Sequence, residues 1–370
     1  MSHRILITGA SGYLGGTILA RWNTVALPTL DKLFALVRTD DQATAVSQLY
    51  GAEPLQFNVK NEAAVRDAIV SNKISIVFFL IDAATVEAQV LFITALAEVK
   101  KLTGLDVHFL HTSGAKLFSN HAGTPHDKPF TDTVPDLYDM QKAQRPLLSP
   151  LGRAVDANNT VVELDEQLGV QTYLFVPCIV YGQGEGFANK LSIQTVAIIK
   201  AAHAARRVYD VNSTGQAVWP ICHVRDTTSL YLQILYSILA GEKPNHGKKG
   251  YYLAASGSIA WKELYSVMAK ALAARGIVDD ANVAPANDES LEAMAKGLGC
   301  PKEFVSLQLG GMYVYARHVK YNQVLTFGVR RCTFTAQNGT KLGWRPHFAS
   351  SHILETAKEE VDLILDTLKL

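Results

Sequence analysis

The chain has 370 residues, 48% of them hydrophobic, and its formal net charge is +1. A length prior of about 100–200 residues per domain predicts two lobes, and the balanced charge, with Lys248-Lys249 as its densest basic pair, excludes nucleic acid and other polyanions as partners. Cys178, Cys222, Cys300 and Cys332 show neither pairing nor metal-ligand spacing, no apolar run is longer than Ile76 to Ile81, and strand signal begins at once, so we expect a cytoplasmic protein with free thiols, no metal and no membrane anchor.

The first element carries the strongest signal. Arg4-Ile5-Leu6-Ile7 reads as an apolar strand, Thr8 to Gly12 as a glycine-rich turn, and Tyr13 to Ala20 as a helix. Such a turn bends tightly at Gly9, lets the backbone approach a pyrophosphate at Gly12, and packs helix on strand at Gly15. The helix start adds free N–H groups and a positive dipole end. An ordinary glycine turn would not need this placement directly between strand and helix, so the pattern predicts a dinucleotide site.

Further along, Leu33 to Val37 reads as a second strand and Pro54 to Phe57 as a short third. Ala63 to Val70 follows as a helix, Ile74 to Ile81 as a fully buried fourth strand, Thr85 to Leu102 as a helix, and Val107 to His111 as a fifth strand. The segment Val155 to Leu168 is helical and Thr172 to Val176 is a sixth strand ending at Pro177. This alternation predicts an α/β fold with a doubly wound parallel sheet over residues 1–182. Beyond Gly182 the rhythm changes: helices over Ser192 to Ala205, Thr227 to Ala240 and Trp261 to Arg275, with Tyr251 to Ala254 between them, and a glycine- and acid-rich stretch from Gly276 to Pro301. We read 183–370 as a smaller C-terminal substrate-binding lobe, with segments around 205–240 returning to the first domain.

The order of TGASGYLG, Ala83-Ala84, HTSGA at strand five, Val180-Tyr181-Gly182-Gln183-Gly184, His223-Val224-Arg225-Asp226 and Leu342-Gly343-Trp344-Arg345-Pro346 resembles an extended short-chain dehydrogenase/reductase of the epimerase/dehydratase superfamily, over nearly the whole chain. The resemblance implies a Rossmann-type domain that holds a nicotinamide dinucleotide at Gly9, Ser11, Gly12, Tyr13, Leu14, Gly15, Ala83 and Pro177. Cofactor choice turns on the end of strand two, where an acidic residue would bind ribose hydroxyls and a cation would bind a ribose phosphate. Arg38 stands there, with Ser11 and Thr39 as hydroxyl donors, so NADP(H) is favoured over NAD(H). Asp40 and Asp41 are the competing feature, and a solvated loop charge is the bland reading of Arg38.

The resemblance also implies a tyrosine acid, a lysine four residues later that eases its ionisation, and a serine or threonine that orients the substrate oxygen. Tyr138 and Lys142 have that spacing, with Ser113 and Thr112 as the hydroxyl candidates, although Gly114 stands where the hydroxyl is expected. Pro146 and Pro150 oppose this, because a helix begun at Tyr138 must stop by Arg145. Counting back from Pro177 places the tyrosine position near Leu151 and the lysine position near Val155. Two readings stand: a catalytic pair followed by an insertion, or a loop coincidence in a branch that lost the pair. His111 is a further proton-donor candidate, but a histidine that ends a buried strand is more often structural.

The nucleotide-sugar positions of the family fall at Val176 and Ile179, neither of which suits that role, while Tyr181, Phe187, Trp219, Met312, Tyr313 and Tyr315 suit an apolar carbonyl compound. The expectation is an NADPH-dependent reductase of a small, largely apolar metabolite, with a homodimer left open. The alternatives are a non-redox enzyme (isomerase, lyase or cyclase) using the same pocket, or an NmrA-like protein that senses NADP(H) without chemistry.

Overall fold

The computed structural model describes residues 2–124, 130–146, 149–212, 217–310 and 332–370. Seven strands form its main sheet: β1 (Arg4–Ile7), β2 (Lys32–Leu36), β3 (Glu53–Leu55), β4 (Ile76–Phe79), β5 (His108–Thr112), β6 (Gln171–Pro177) and β7 (Tyr251–Ala254). They lie in the order β7-β6-β5-β4-β1-β2-β3, and every pairing is parallel. The helices between them are α1 (Tyr13–Ala20), α2 (Asp40–Tyr50), α3 (Glu62–Ser71), α4 (Glu87–Thr103), α5 (Leu137–Lys142) and α6 (Ser149–Leu168). This is the doubly wound sheet expected from the alternation of elements.

Both faces of the sheet are covered, which is why its strands are apolar at nearly every position. Alternate side chains go to opposite sides: Ile5, Ile7, Ile76 and Phe78 belong to one apolar cluster, and Leu6, Val77 and Phe79 to the other. Local chemistry sets the helix ends. Thr39 caps α2 by accepting the Gln42 N–H, Asn61 caps α3 by accepting the Ala64 N–H, and Gly51 and Gly104 close α2 and α4 with left-handed φ of 64° and 72°.

Four differences from the sequence reading matter. Tyr251–Ala254 is not part of a separate lobe; it joins the main sheet as β7, paired with β6 from Tyr251↔Leu174 to Ala254↔Pro177. The long helix before β6 begins at Ser149, not Val155, with Pro150 in its first turn where no N–H is required. The acid-rich stretch after Gly276 contains a helix, Asp288–Leu298, capped by Asn287, and α2 had not been read at all.

The later half folds around a small sheet in the order Gly257–Ala260, Val218–His223, Ile179–Tyr181. Helices α7 (Gln194–Ala205) and α8 (Val224–Leu239) follow its strands, and α8 packs on α1. Buried carboxylates stitch the chain's end to its middle. Asp226 accepts the N–H groups of His347 and Phe348, each at 2.9 Å, while the Trp344 indole donates to its carbonyl oxygen. Asp132 accepts from Leu253 and Asn338, and Glu360 accepts from Gly182 and from the Thr195 hydroxyl.

Candidate functional site

A cavity of about 910 Å³ opens at the carboxyl ends of the central strands, the place where open parallel sheets bind ligands. Its first wall is the turn between β1 and α1. Gly9 has φ +66°, and its carbonyl accepts the Gly12 N–H at 2.8 Å, which closes the bend. Gly12 caps α1, whose first turn carries no acidic side chain, so the free N–H groups and dipole end face the cavity without internal competition. A Cβ on Gly15 would stand 2.3 Å from the Gly9 carbonyl oxygen, so only glycine lets the helix sit this close. Tyr13 lines the cavity and donates its hydroxyl to the Gly182 carbonyl at 2.6 Å, tying the turn to the loop after Ile179–Tyr181.

Arg38 lies at the end of β2 and lines the cavity with Gln42, Phe57 and Val59. Its backbone N–H donates to the Gln42 side chain, while its guanidinium has no ion pair among the described residues. Asp40 accepts a hydrogen bond from Gln56, and neither Asp40 nor Asp41 lines the cavity. Ser11, Leu14, Ala83 and Pro177 line it as well, so the dinucleotide candidates named from the sequence share one cleft, except Thr39, whose hydroxyl caps α2.

The candidates for catalysis do not. Ser113 lines the cavity, and its hydroxyl is buried with no partner among the described residues. Thr112 is turned away, its hydroxyl 2.6 Å from the hydroxyl of Tyr231, a fully buried ring stacked on Phe175. Tyr138 and Lys142 lie on α5, outside the cavity. The Tyr138 hydroxyl donates to Glu163 at 2.8 Å, and the Lys142 ammonium donates to both, at 3.2 Å and 2.7 Å. Burial and then Glu163 raise the Tyr138 pKa, and the Glu163 hydrogen bond raises that of Lys142. A phenol shifted upward gives up its proton less readily, the opposite of the eased ionisation that the resemblance implies for a tyrosine with a lysine at this spacing. Leu151 and Ala154 from α6 line the cavity instead, and Val155 is buried in the core.

His111 is fully buried, outside the cavity lining, and its pKa is lowered to about 4 by burial. Of the aromatic candidates, Trp219 lines the cavity. Tyr181 instead pairs with His352, and Phe187 packs beside Tyr50. Met312, Tyr313 and Tyr315 lie outside the described residues. Sequence reasoning missed Gln42, Phe57, Val59, Lys116, Asn189, Ile193 and Gln194, all of which line the cavity. No spacing rule marks them, because they come from separate parts of the chain that meet only in the fold.

Residues 5–247 match the model of the NAD dependent epimerase/dehydratase family, and the chain belongs to that family. No curated protein matches it. Among solved structures, UDP-glucose 4-epimerase from Thermus thermophilus in complex with NAD is similar over 98% of both chains, with 15% identity and a TM-score of 0.60. DesIV, a dTDP-glucose 4,6-dehydratase from Streptomyces venezuelae solved with NAD and TYD, covers 98% of this chain and 97% of its own, at 12% identity and a TM-score of 0.63. A monomeric L-threonine 3-dehydrogenase from a metagenome is similar at 14% identity and a TM-score of 0.56 over 98% of both chains. At these identities the likeness is one of fold. The family is nicotinamide-dependent, and the glycine cradle and bare helix start fit such a dinucleotide. Among the described residues, no helix is long and apolar enough to cross a membrane.

Proposed function

We propose that this chain is an NADP(H)-dependent reductase of a carbonyl group in a small molecule whose body is largely apolar. The observation that carries the cofactor choice is Arg38. It is exposed at the cavity edge and free of ion pairs among the described residues, while both neighbouring aspartates are outside the cavity lining. A guanidinium in that state is suited to a ribose phosphate. The dinucleotide would be held by Gly9, Ser11, Gly12 and Gly15 along its phosphates, by Arg38 at the ribose, and by Ala83 and Pro177 along its length; when bound, it supplies a hydride. Leu151, Ala154, Ile179 and Trp219 exclude water from the rest of the cleft and favour an apolar substrate body. Ser113 offers a hydroxyl to the substrate.

One observation favours a second reading. With Leu151 in the cavity and Tyr138 outside it, the conventional proton donor is missing, which suits a non-redox enzyme or a protein that senses NADP(H). Either alternative keeps the same cofactor expectation. The solved relatives named with NAD define the competing outcome, so both cofactors belong in the test. Arg38→Ala is expected to weaken NADPH binding by roughly ten- to a hundredfold, the value of a charge-assisted contact of about 1.5–3 kcal/mol, and to leave NADH binding nearly unchanged. Titration calorimetry with both cofactors decides it: equal losses would remove Arg38 from phosphate recognition, and tighter NADH binding by the wild type would overturn the NADP(H) assignment.

A further inference from the structure

Lys116 lies in a short turn of 3-10 helix, Ala115–Phe118, directly after β5. It lines the same cavity as Ser113, Leu151 and Ala154. Among the described residues its ammonium makes no ion pair and no side-chain hydrogen bond, and its only local tie is the backbone carbonyl, which accepts from Ser119. Of the groups packed on this turn, the Cys332 thiol is directed at the carbonyls of Ala115 and Phe118 and brings no charge. Among the described residues, the other ionisable side chains of the lining are Tyr13, whose hydroxyl is occupied by Gly182, Arg38 at the end of β2, and Cys178, whose thiol is turned to the Ala254 carbonyl. Three residues before Lys116, the buried Ser113 hydroxyl also has no partner among the described residues.

We propose that Ser113 and Lys116 together form an anion subsite, and that the substrate of this cleft carries a carboxylate on its otherwise apolar body. A half-buried ammonium without a counter-charge attracts an anion into the cleft, and a buried hydroxyl without an acceptor is costly. A neutral carbonyl could satisfy one of these donors but would leave the charge uncompensated. A carboxylate has two oxygens, one for each donor, and cancels the charge. Burial pulls the Lys116 pKa down to about 8, so the side chain is still mostly protonated at pH 7 and an incoming anion would strengthen that state. This deepens the substrate reading of the proposed function and rests on it only for the location of the cleft.

The probe is benzoate, compared with the isosteric but neutral benzamide, titrated into the full chain with and without saturating NADPH at pH 7. Wild type is expected to prefer benzoate by at least about tenfold, as a charge-assisted contact should give. Lys116→Met, which keeps the apolar stem, should abolish that preference while changing benzamide binding less than about twofold, and Lys116→Arg should retain part of it. Equal binding of the two probes by wild type, or an unchanged preference in Lys116→Met, overturns the proposal. A loss of NADPH affinity in Lys116→Met as large as the loss for benzoate also overturns it, because the ammonium would then serve the dinucleotide. Failure of wild type to bind NADPH at all would defeat the cofactor reading instead, and the benzoate preference measured without NADPH would still judge Lys116.

Discussion

At the scale of single residues, the glycine turn shows how little freedom a binding loop has. Gly15 is fixed by contact distance alone, since an added methyl would overlap the Gly9 carbonyl at 2.3 Å and its carbon at 2.9 Å, and both are backbone atoms that cannot swing aside. Gly15→Ala is therefore expected to displace the turn, lowering NADPH affinity at least about tenfold and reducing the melting temperature. Gly152→Ala is the control. That glycine lies in α6 with nothing within 4 Å of an added methyl, so the change should leave NADPH affinity intact and raise stability by up to about 1 kcal/mol through helix propensity. Equal behaviour of the two variants in thermal melts and titrations would show that the close approach at Gly15 is not what holds the turn.

At the scale of elements, the short helix α5 carries a tyrosine–lysine pair at the family's spacing but outside the cavity lining. Its residues are occupied in tying α5 to α6: Tyr138 and Lys142 meet at Glu163, and the Lys142 and Lys248 ammonium groups lie 5.6 Å and 5.4 Å from the Tyr138 ring centre. Tyr138→Phe should accordingly cost about 1 kcal/mol of stability, the worth of one hydrogen bond to a carboxylate that keeps its lysine, and leave turnover within about threefold of wild type. Chemical denaturation and steady-state kinetics on any substrate found would check both halves. A fall of about 10²-fold or more in turnover with unchanged stability would restore Tyr138 as the acid.

At the scale of the whole molecule, acid stability depends on histidines buried as neutral rings. Burial lowers His108 to about 3, and His111 and His223 each to about 4, with nearby cationic groups adding to the effect for His108 and His223. The ordinary histidine value is near 6.5, so below that pH the unfolded chain binds protons that the folded chain refuses. Their contribution to stability is therefore complete above about pH 6.5 and is lost as pH falls toward 4. Asp132 works in the opposite direction: burial raises it to about 6, so its preference for the fold is present at low pH and disappears as pH rises through 6. Three histidines outweigh one aspartate, and stability should decline from pH 7 to pH 5. Of that decline, His111 should account for about 2 kcal/mol. In urea titrations the difference between the two pH values should shrink by about that amount in His111→Leu, whatever the variant's absolute stability. An unchanged difference would mean that the ring is not held neutral by burial.

What the sequence determined by itself is whatever depends on neighbours along the chain. The strand–turn–helix at Arg4 to Ala20, the apolar run of β4 and the alternation through β6 all follow from local periodicity and from glycine geometry, which need no distant partner. The presence of Arg38 at the end of β2 follows from the same reading. The tertiary structure alone decided the questions that depend on distant parts of the chain. In the sequence Tyr251–Ala254 is only a segment between helices of the second lobe, and its pairing with β6 makes it the seventh strand of the main sheet. Spacing put Tyr138 and Lys142 on one helix face, yet spacing cannot say which surface that face meets, and here it meets Glu163 on α6. Pro150 read as a helix breaker but sits in the first turn of α6, so the helix extends back far enough to place Leu151 in the cleft. Lys116 and Ser113 carried no motif linking them. They become a pair because the turn after β5 brings both to one cavity, Ser113 buried and Lys116 half-buried, where an unmatched hydroxyl and an unmatched charge face the same ligand.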